Sequence, residues 1–136
     1  MKKLMNKKAF TIMEMLIVVA IIAVLVAIAI PTFSNALDKA KAAADVANVR
    51  AGYAELQVAV MINDEALPAD KSAFVSNYVK QGLNNENALE YTPGTASNGQ
   101  RTDTIKYTND KLDGSPYEWT VTGKIAAAAQ GDQGND

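Results

Sequence analysis

The first thirty residues contain one long apolar segment, and its pattern predicts a membrane-length helix. Within residues 10–30, 16 consecutive residues starting at Met15 are apolar. A helix over the whole segment is about 31 Å long, which matches the ~30 Å hydrocarbon core of a bilayer. One carboxylate, Glu14, stands at the head of this segment. Because a charge is costly in a membrane-length helix, we expect Glu14 to have a partner and a function.

After Pro31 the pattern changes from uniformly apolar to amphipathic. Apolar residues recur there at alternating steps of four and three, as on one face of a helix. This stripe consists of Phe33, Leu37, Ala40, Ala44, Ala47, Ala51, Ala54, Val58 and Met61. A second apolar stripe, called the second seam, consists of Val46, Val49, Tyr53, Leu56 and Val60. The polar face of the helix consists of Asp38, Lys41, Asp45, Asn48 and Glu55.

These patterns predict a single helix from near Phe10 to near Ile62. Pro31 removes a backbone hydrogen bond inside this helix and is expected to bend it. The small side chains of the alanine-rich stripe suit close packing, either against the chain's own head or against neighbouring copies.

The residues after position 62 carry the signals of a small head. Residues 72–81 are predicted to form a short helix, with Gly82 as its C-terminal cap. Alternation and a high content of Thr, Tyr, Trp and Val predict strands, because such side chains favour sheets. The expected strands are 89–92, 104–108 and 117–123, with a loop at 92–102 and a turn at 113–116.

The sequence therefore predicts an α+β fold, in which a long N-terminal helix packs its amphipathic second half against a small antiparallel sheet. Four segments are expected, namely a basic leader (1–9), a transmembrane helix (10–30), an amphipathic continuation (31–62) and a globular head (63–136). Residues 126–136 are expected to form a frayed tail of that head.

The distribution of charge predicts how the first helix is oriented across the membrane. The lysines at positions 2, 3, 7 and 8 precede the apolar segment, and the rest of the chain holds 9 basic against 15 acidic residues, a formal charge of −6. The positive end should stay in the cytoplasm and the acidic part should lie outside. No cluster of Lys and Arg follows the helix, so we expect no direct nucleic-acid binding by the bulk of the chain.

Two residue types that carry much of enzyme chemistry are missing. The chain has no Cys and no His, which removes thiolate metal sites, disulfides and the commonest general base. There is also no nucleophile motif of the type G-x-S-x-G. We therefore expect no enzymatic activity.

Residues 7–34, KKAFTIMEMLIVVAIIAVLVAIAIPTFS, resemble the N-terminus of type IV pilins and of the related pseudopilins of type II secretion and competence systems. The resemblance lies in a basic leader, a small residue before Phe10, then Thr, Glu14 as the fifth residue from that Phe, an unbroken apolar run, and Pro31. These features are specific because they occur together at fixed spacing. One departure is Ala9, since the family most often has Gly before the cleaved bond.

The resemblance implies a pilin-like fold and a sequence of processing steps. A prepilin peptidase would cut between Ala9 and Phe10 and methylate the new amine of Phe10. The chain would begin as a single-pass protein of the cytoplasmic membrane, in contact with lipid and with its leader inside. An assembly platform and ATPase of the inner membrane would then build a helical homo-oligomeric filament.

The resemblance also gives Glu14 a role in assembly, which is to neutralise the Phe10 amine of a neighbouring subunit. An amine with a pKa near 8 stays mostly cationic at neutral pH and suits a carboxylate in a core without water. Because Phe10 and Glu14 lie four residues apart on one helical face, the pair could also form within one subunit.

Three hypotheses of function remain open on the sequence. The first is a type IV pilin for adhesion, twitching motility or DNA uptake, and the second is a major pseudopilin of a type II secretion or competence system, in a short envelope-spanning fibre. The third is an anchored or secreted binding module. In its secreted form, Ala27-Ile28-Ala29 would be the cleavage site of an ordinary signal peptide.

The head offers weak candidates for a cation site in Asn109, Asp110 and Asp113, whose oxygens could bind calcium as major pseudopilins of type II secretion do. Their spacing does not fit an EF-hand, and turns favour Asp and Asn in any case. We expect no cofactor otherwise. Tyr117, Trp119 and Val121 share one strand face and are expected in the core.

Overall fold

The computed structural model describes residues 9–126. The predictions of a basic leader and a frayed tail fall largely on residues 1–8 and 127–136, which lie outside the described residues. The chain divides into two units, Met1–Leu37 and Asp38–Asp136. Helix α1 (Ile12–Met61) contributes to both units, and its bounds lie within two residues of those predicted.

The first unit contains the apolar half of α1. Every large apolar side chain between Ile12 and Ile30 is at least 46% exposed. Pro31 lies inside α1, and helical conformation continues on both sides of it. The bend expected at Pro31 stays a prediction.

The second unit is an α+β head, as predicted. After α1 it contains α2 (Lys71–Tyr78), a short 3₁₀ helix (Glu86–Ala88) and three strands, β1 (Leu89–Thr92), β2 (Gln100–Tyr107) and β3 (Tyr117–Lys124). Asp70 caps α2, because its side chain accepts a 2.9 Å hydrogen bond from the Ala73 N–H. The sheet is antiparallel with the order β1-β2-β3.

Strand β2 begins four residues earlier than predicted, which corrects the expected loop at 92–102. Asn98 and Gly99 both have positive φ, at 53° and 77°, and Ser97 and Gln100 exchange hydrogen bonds of 2.7 and 3.0 Å across them. This is the two-residue turn that Asn-Gly favours in hairpins, because both positions tolerate the left-handed region. The turn allows Gln100 to pair with Lys124 at the far end of β3.

The second half of α1 packs in the head with the face opposite to the alanine-rich stripe. The buried positions are Ala42, Asp45, Val46, Val49, Gly52, Leu56 and Ala59. At about 100° per residue they lie across the helix from Ala40, Ala44, Ala47, Ala51 and Ala54, which are all exposed. The larger Val and Leu side chains bury more apolar surface than Ala, so the second seam makes the core.

Gly52 allows α1 and α2 to approach closely. A Cβ at this position would lie 3.0 Å from Val79 Cγ2 and 3.1 Å from the Tyr78 carbonyl oxygen. A residue without a Cβ is therefore needed where the end of α2 meets α1, although glycine weakens the helix locally.

Two buried carboxylates tie the loops of the head to its core. The sequence pattern predicted Asp45 on the exposed polar face of α1. This prediction is wrong, because the Asp45 side chain is fully buried. Its carboxylate accepts hydrogen bonds from the Asn84 and Asn85 N–H groups at 2.7 and 2.9 Å and from the Tyr107 hydroxyl at 3.0 Å. Because these donors satisfy both of its oxygens, the charge is tolerated in the core.

The second carboxylate is Asp103 on β2. It accepts hydrogen bonds from the Tyr91 hydroxyl, from Gly94 N–H at 3.1 Å and from Arg101 Nε at 2.7 Å. Arg101 also donates to the Pro68 carbonyl. Burial and the hydrogen bond to Asp103 raise the pKa of Tyr91, so its hydroxyl stays protonated and donates.

Candidate processing and assembly site

The start of α1 is organised by two side chains that cap each other's backbone. Glu14 N–H donates to Thr11 Oγ1 at 3.3 Å, and Thr11 N–H donates to Glu14 Oε2 at 2.8 Å. The first helical bond, from Met15 N–H to the Thr11 carbonyl at 3.2 Å, marks Thr11 as the N-cap. This reciprocal arrangement is the capping box of the pattern [S/T]-x-x-[E/Q].

Ala9 and Phe10 lie immediately outside this box. Both have non-helical backbone and are exposed, and the Phe10 side chain is 79% exposed. The peptide bond between them is therefore accessible from solvent. The structure thus places the predicted cleavage position next to the helix and not within it.

The expected charge pair between Phe10 and Glu14 needs an amine that the unprocessed chain lacks. While the Ala9–Phe10 bond is intact, the nitrogen of Phe10 is a neutral amide. Among the residues that the structure describes, five ion pairs form and Glu14 takes part in none of them. Its carboxylate is held by its own helix start, so the pairing stays a prediction for the mature chain.

Among the residues that the structure describes, α1 is the only helix long and apolar enough to cross a membrane. None of the residues in its most apolar stretch is buried. Fully burying one Leu, Ile or Val side chain stabilises by roughly 1.5–3 kcal/mol. So much exposed apolar surface requires a cover, either lipid or other helices.

The comparisons with known proteins address this same segment. A family model described as the prokaryotic N-terminal methylation motif matches residues 4–30. The chain carries the prepilin signal of type IV pilins and pseudopilins. No solved structure matches the chain.

The prepilin signal indicates which reaction takes place at the site. It implies processing by a prepilin peptidase and assembly of the type seen in pili. Together with the exposed apolar helix near the N-terminus, it fits a membrane-anchored precursor. Hydrolysis of the Ala9–Phe10 bond would create the cation that Glu14 is expected to neutralise.

The weak calcium candidates in the head engage different partners. The Asp113 carboxylate lies 3.7 Å from Lys39 Nζ and that of Asp110 3.6 Å from Lys111 Nζ, while Asn109 Oδ1 accepts the Lys111 N–H at 3.0 Å. Within residues 9–126, no group of three or more His, Cys, Asp or Glu is placed to hold a metal. Calcium binding by these residues stays a prediction without a prepared geometry.

Three aromatic side chains, those of Tyr53, Tyr117 and Trp119, lie next to one another and are partly exposed. Trp119 lies 6.4 Å from Tyr117 and 6.3 Å from Tyr53, measured between ring centres. Tyr53 also donates a 3.0 Å hydrogen bond to the Thr120 carbonyl of β3. Val121 is buried as predicted, whereas Tyr117 and Trp119 are only partly buried and cover the junction of α1 and β3.

The capping box and the roles of Asp45 and Asp103 were not predicted, although each has a signal in the sequence. Thr11 and Glu14 fit the box directly before an apolar run. Asp45 lies one helical turn before Val49 on the buried seam, and Asp103 alternates with Ile105 and Tyr107 on β2. An acidic residue in register with a core face indicates a buried, hydrogen-bonded carboxylate.

Proposed function

We propose that this chain is a structural pilin subunit that polymerises through α1 into a type IV pilus for adhesion, twitching motility or DNA uptake. The observation that carries the proposal is the prepilin signal at residues 4–30 leading directly into an apolar helix with all its large side chains exposed. Lipid would cover this helix before assembly, and the helices of neighbouring copies would cover it in the filament. The mature protein would then be an extracellular filament.

The exposed stripe of α1 supports polymerisation beyond the membrane segment. Ala40, Ala44, Ala47, Ala51 and Ala54 are apolar and exposed, because the head leaves them uncovered. Small side chains allow helices to approach closely. We therefore propose that this stripe faces neighbouring copies.

Several partners follow from the same proposal. A prepilin peptidase would process the precursor, and an inner-membrane platform with its ATPase would extract and stack the subunits. We assign no catalytic role to the chain itself, because it lacks His and Cys.

One observation favours a second candidate, a major pseudopilin of a type II secretion or competence system. Ala9 replaces the usual glycine before the cleaved bond, and competence-type proteins have a similar KAFT sequence. The two candidates share processing and polymerisation, and they differ in the length of the filament.

Electron microscopy of cells that express the chain, together with sheared surface fractions, tests the proposal. The expected result is filaments that contain the chain and disappear when its gene is deleted. Long surface filaments support the pilus and short envelope-bound fibres the pseudopilus. A chain that stays monomeric in the membrane or is secreted in soluble form contradicts both and favours the binding module.

A further inference from the structure

A groove of about 510 Å³ lies beside the exposed face of α1 in the head. One side of it is formed by the last turns of α1 and the other by the segment after α1 and the end of α2. The lining residues are Ala54, Glu55, Val58, Ala59, Asn63, Glu65, Asn77, Tyr78 and Lys80. Ala54 and Val58 belong to the alanine-rich stripe and are exposed, so the groove borders the surface that is proposed to face neighbouring copies.

Glu65 gives the groove a net negative charge. Two carboxylates and one ammonium line it, and Lys80 Nζ lies 2.8 Å from Glu55 Oε2, so those two charges balance. Glu65 is exposed, accepts a 3.3 Å hydrogen bond from the Tyr78 hydroxyl, and takes part in none of the five ion pairs in the part of the chain that the structure describes. The groove therefore favours a cationic occupant.

Arg50 is a cation on the other margin of the same helix face. It is exposed, and none of the five ion pairs of the described residues includes it. Arg50 and Ala59 are nine residues apart, which at about 100° per residue places them on opposite sides of α1. Arg50 thus lies away from the groove of its own head, and the exposed Ala54 and Val58 lie between the two.

We propose that the groove binds Arg50 of a second copy of this chain, with Glu65 as the partner of the guanidinium. The inference deepens the proposed function and rests on it, because it names one contact between copies in the filament. A guanidinium presents its N–H donors in a fixed fork that matches a carboxylate, and it is weakly hydrated, which suits arginine to ion pairs in interfaces.

The placement of the two parts also fits polymerisation. Because Arg50 and the groove lie on different sides of α1, each copy can give its arginine to one neighbour and receive that of another. Such a heterologous contact repeats without closing when the rotation between copies does not make a ring, and it then builds a filament. A parallel neighbour displaced by five to nine residues, about 8–14 Å along the axis, would bring its Arg50 level with the groove.

The first test exchanges the two charges in the full chain and counts filaments per cell by electron microscopy. Arg50→Glu and Glu65→Arg should each lower the number about tenfold, because like charges would meet across every contact. Combining both substitutions should restore the number to within about twofold, because opposite charges meet again. Lys111→Glu reverses an exposed charge in the loop after β2 and should form normal filaments. The urea midpoint of each full-length variant in detergent should be unchanged, because all three positions are exposed.

Cross-linking tests the contact directly, because the chain has no cysteine of its own. Filaments that carry both Arg50→Cys and Glu65→Cys should give a ladder of dimers, trimers and longer chains with a short bis-maleimide. The two positions of one copy lie on opposite sides of α1, whose diameter is about 10–12 Å, so a shorter linker joins only different copies. Filaments with Arg50→Cys and Ala96→Cys, at an exposed loop position, are the control and should stay monomeric.

The outcomes separate this inference from the proposed function. Normal filament number with Arg50→Glu, or a double charge exchange that restores nothing, would overturn the inference. Filaments of the double cysteine variant that stay monomeric with the linker would overturn it as well. In each of these cases the unaltered chain still forms filaments and the proposed function stands. An unaltered chain that forms no filaments overturns the proposed function itself.

Discussion

The Tyr107 hydroxyl donates a 3.0 Å hydrogen bond to the Asp45 carboxylate, which joins the last residue of β2 to α1 in the core of the head. The same carboxylate accepts the N–H groups of Asn84 and Asn85 through different oxygens. One ionised side chain thus fixes a helix, a strand and a loop. The head should therefore depend on Asp45 more than on any exposed acidic residue.

Asp45→Asn should destabilise the head although the side chain keeps its shape. An amide offers one acceptor oxygen where two are needed, and its NH₂ would face a donor. The expected loss is about 2–3 kcal/mol, and Tyr107→Phe should lose about 1 kcal/mol. Urea unfolding of a chain beginning at Asn35 measures both.

Asp38→Asn is the matched control, because Asp38 lies on the same helix but is exposed. It should change the free energy of unfolding by no more than about 0.5 kcal/mol. If Asp45→Asn and Asp38→Asn have equally small effects, the buried carboxylate does not hold the head together.

The head should lose stability in acid through the same residue. Burial by itself raises the pKa of Asp45, but the hydrogen bonds from Asn84, Asn85 and Tyr107 outweigh it and lower the pKa below the ordinary 3.8. A lowered pKa in the folded state means that the contribution is complete above 3.8 and is lost as the pH falls through the folded value.

Unfolding measured from about pH 6 down to about pH 2 should show this difference. The unaltered head should lose more stability than Asp45→Asn over this range, so the two curves converge in acid. Parallel curves would mean that other carboxylates dominate the acid response.

Surface charge on the exposed stripe should block assembly without affecting the fold. The test variants are Ala47→Glu and Ala51→Glu, because both alanines lie on the face of α1 that the head leaves uncovered. Head stability should stay within about 0.5 kcal/mol, while filament number falls sharply because an unpaired charge would be buried between copies. Ala96→Glu, at an exposed loop position, is the control and should form normal filaments. Normal filaments with both stripe variants would exclude this face as an interface.

Much of the fold could be predicted because its signals are local. The long helix, the short helix and β1 follow from periodicity and propensity, and β1 has the predicted bounds. The predicted cap of the short helix is wrong, because α2 ends at Tyr78 with Val79 as its C-cap, and Gly82 lies beyond it. The face of α1 that packs could not be decided by periodicity, because two apolar seams run along it. Side-chain volume decided it, since Val49 and Leu56 fill the core and the alanines do not.

Other features depend on contacts between distant residues. Asp45 is buried only because Asn84, Asn85 and Tyr107 converge on it from far along the chain. At the candidate site the prepilin motif could be predicted in full, since it is a fixed local pattern. The expected pair between Phe10 and Glu14 could not be placed in the structure, because its amine exists only after cleavage.

Glu14→Gln should separate the charge of Glu14 from its capping role. Glutamine retains an acceptor for the Thr11 N–H, so cleavage and membrane insertion should stay normal. The Phe10 amine would lose its partner in a dry core, at a cost of about 3–5 kcal/mol, which is enough to prevent efficient polymerisation. Cells should therefore contain normal amounts of cleaved protein and few filaments. Normal filament number with this variant would contradict the charge pair.

The identity of the first residue of the mature protein tests the central claim most directly. If the chain is a prepilin that assembles through α1, intact-mass analysis and N-terminal sequencing of purified filaments should give a chain that begins at Phe10 and carries one methyl group on its amine. Retention of Met1, or a start near Ile30 as after signal-peptide cleavage, would contradict the account.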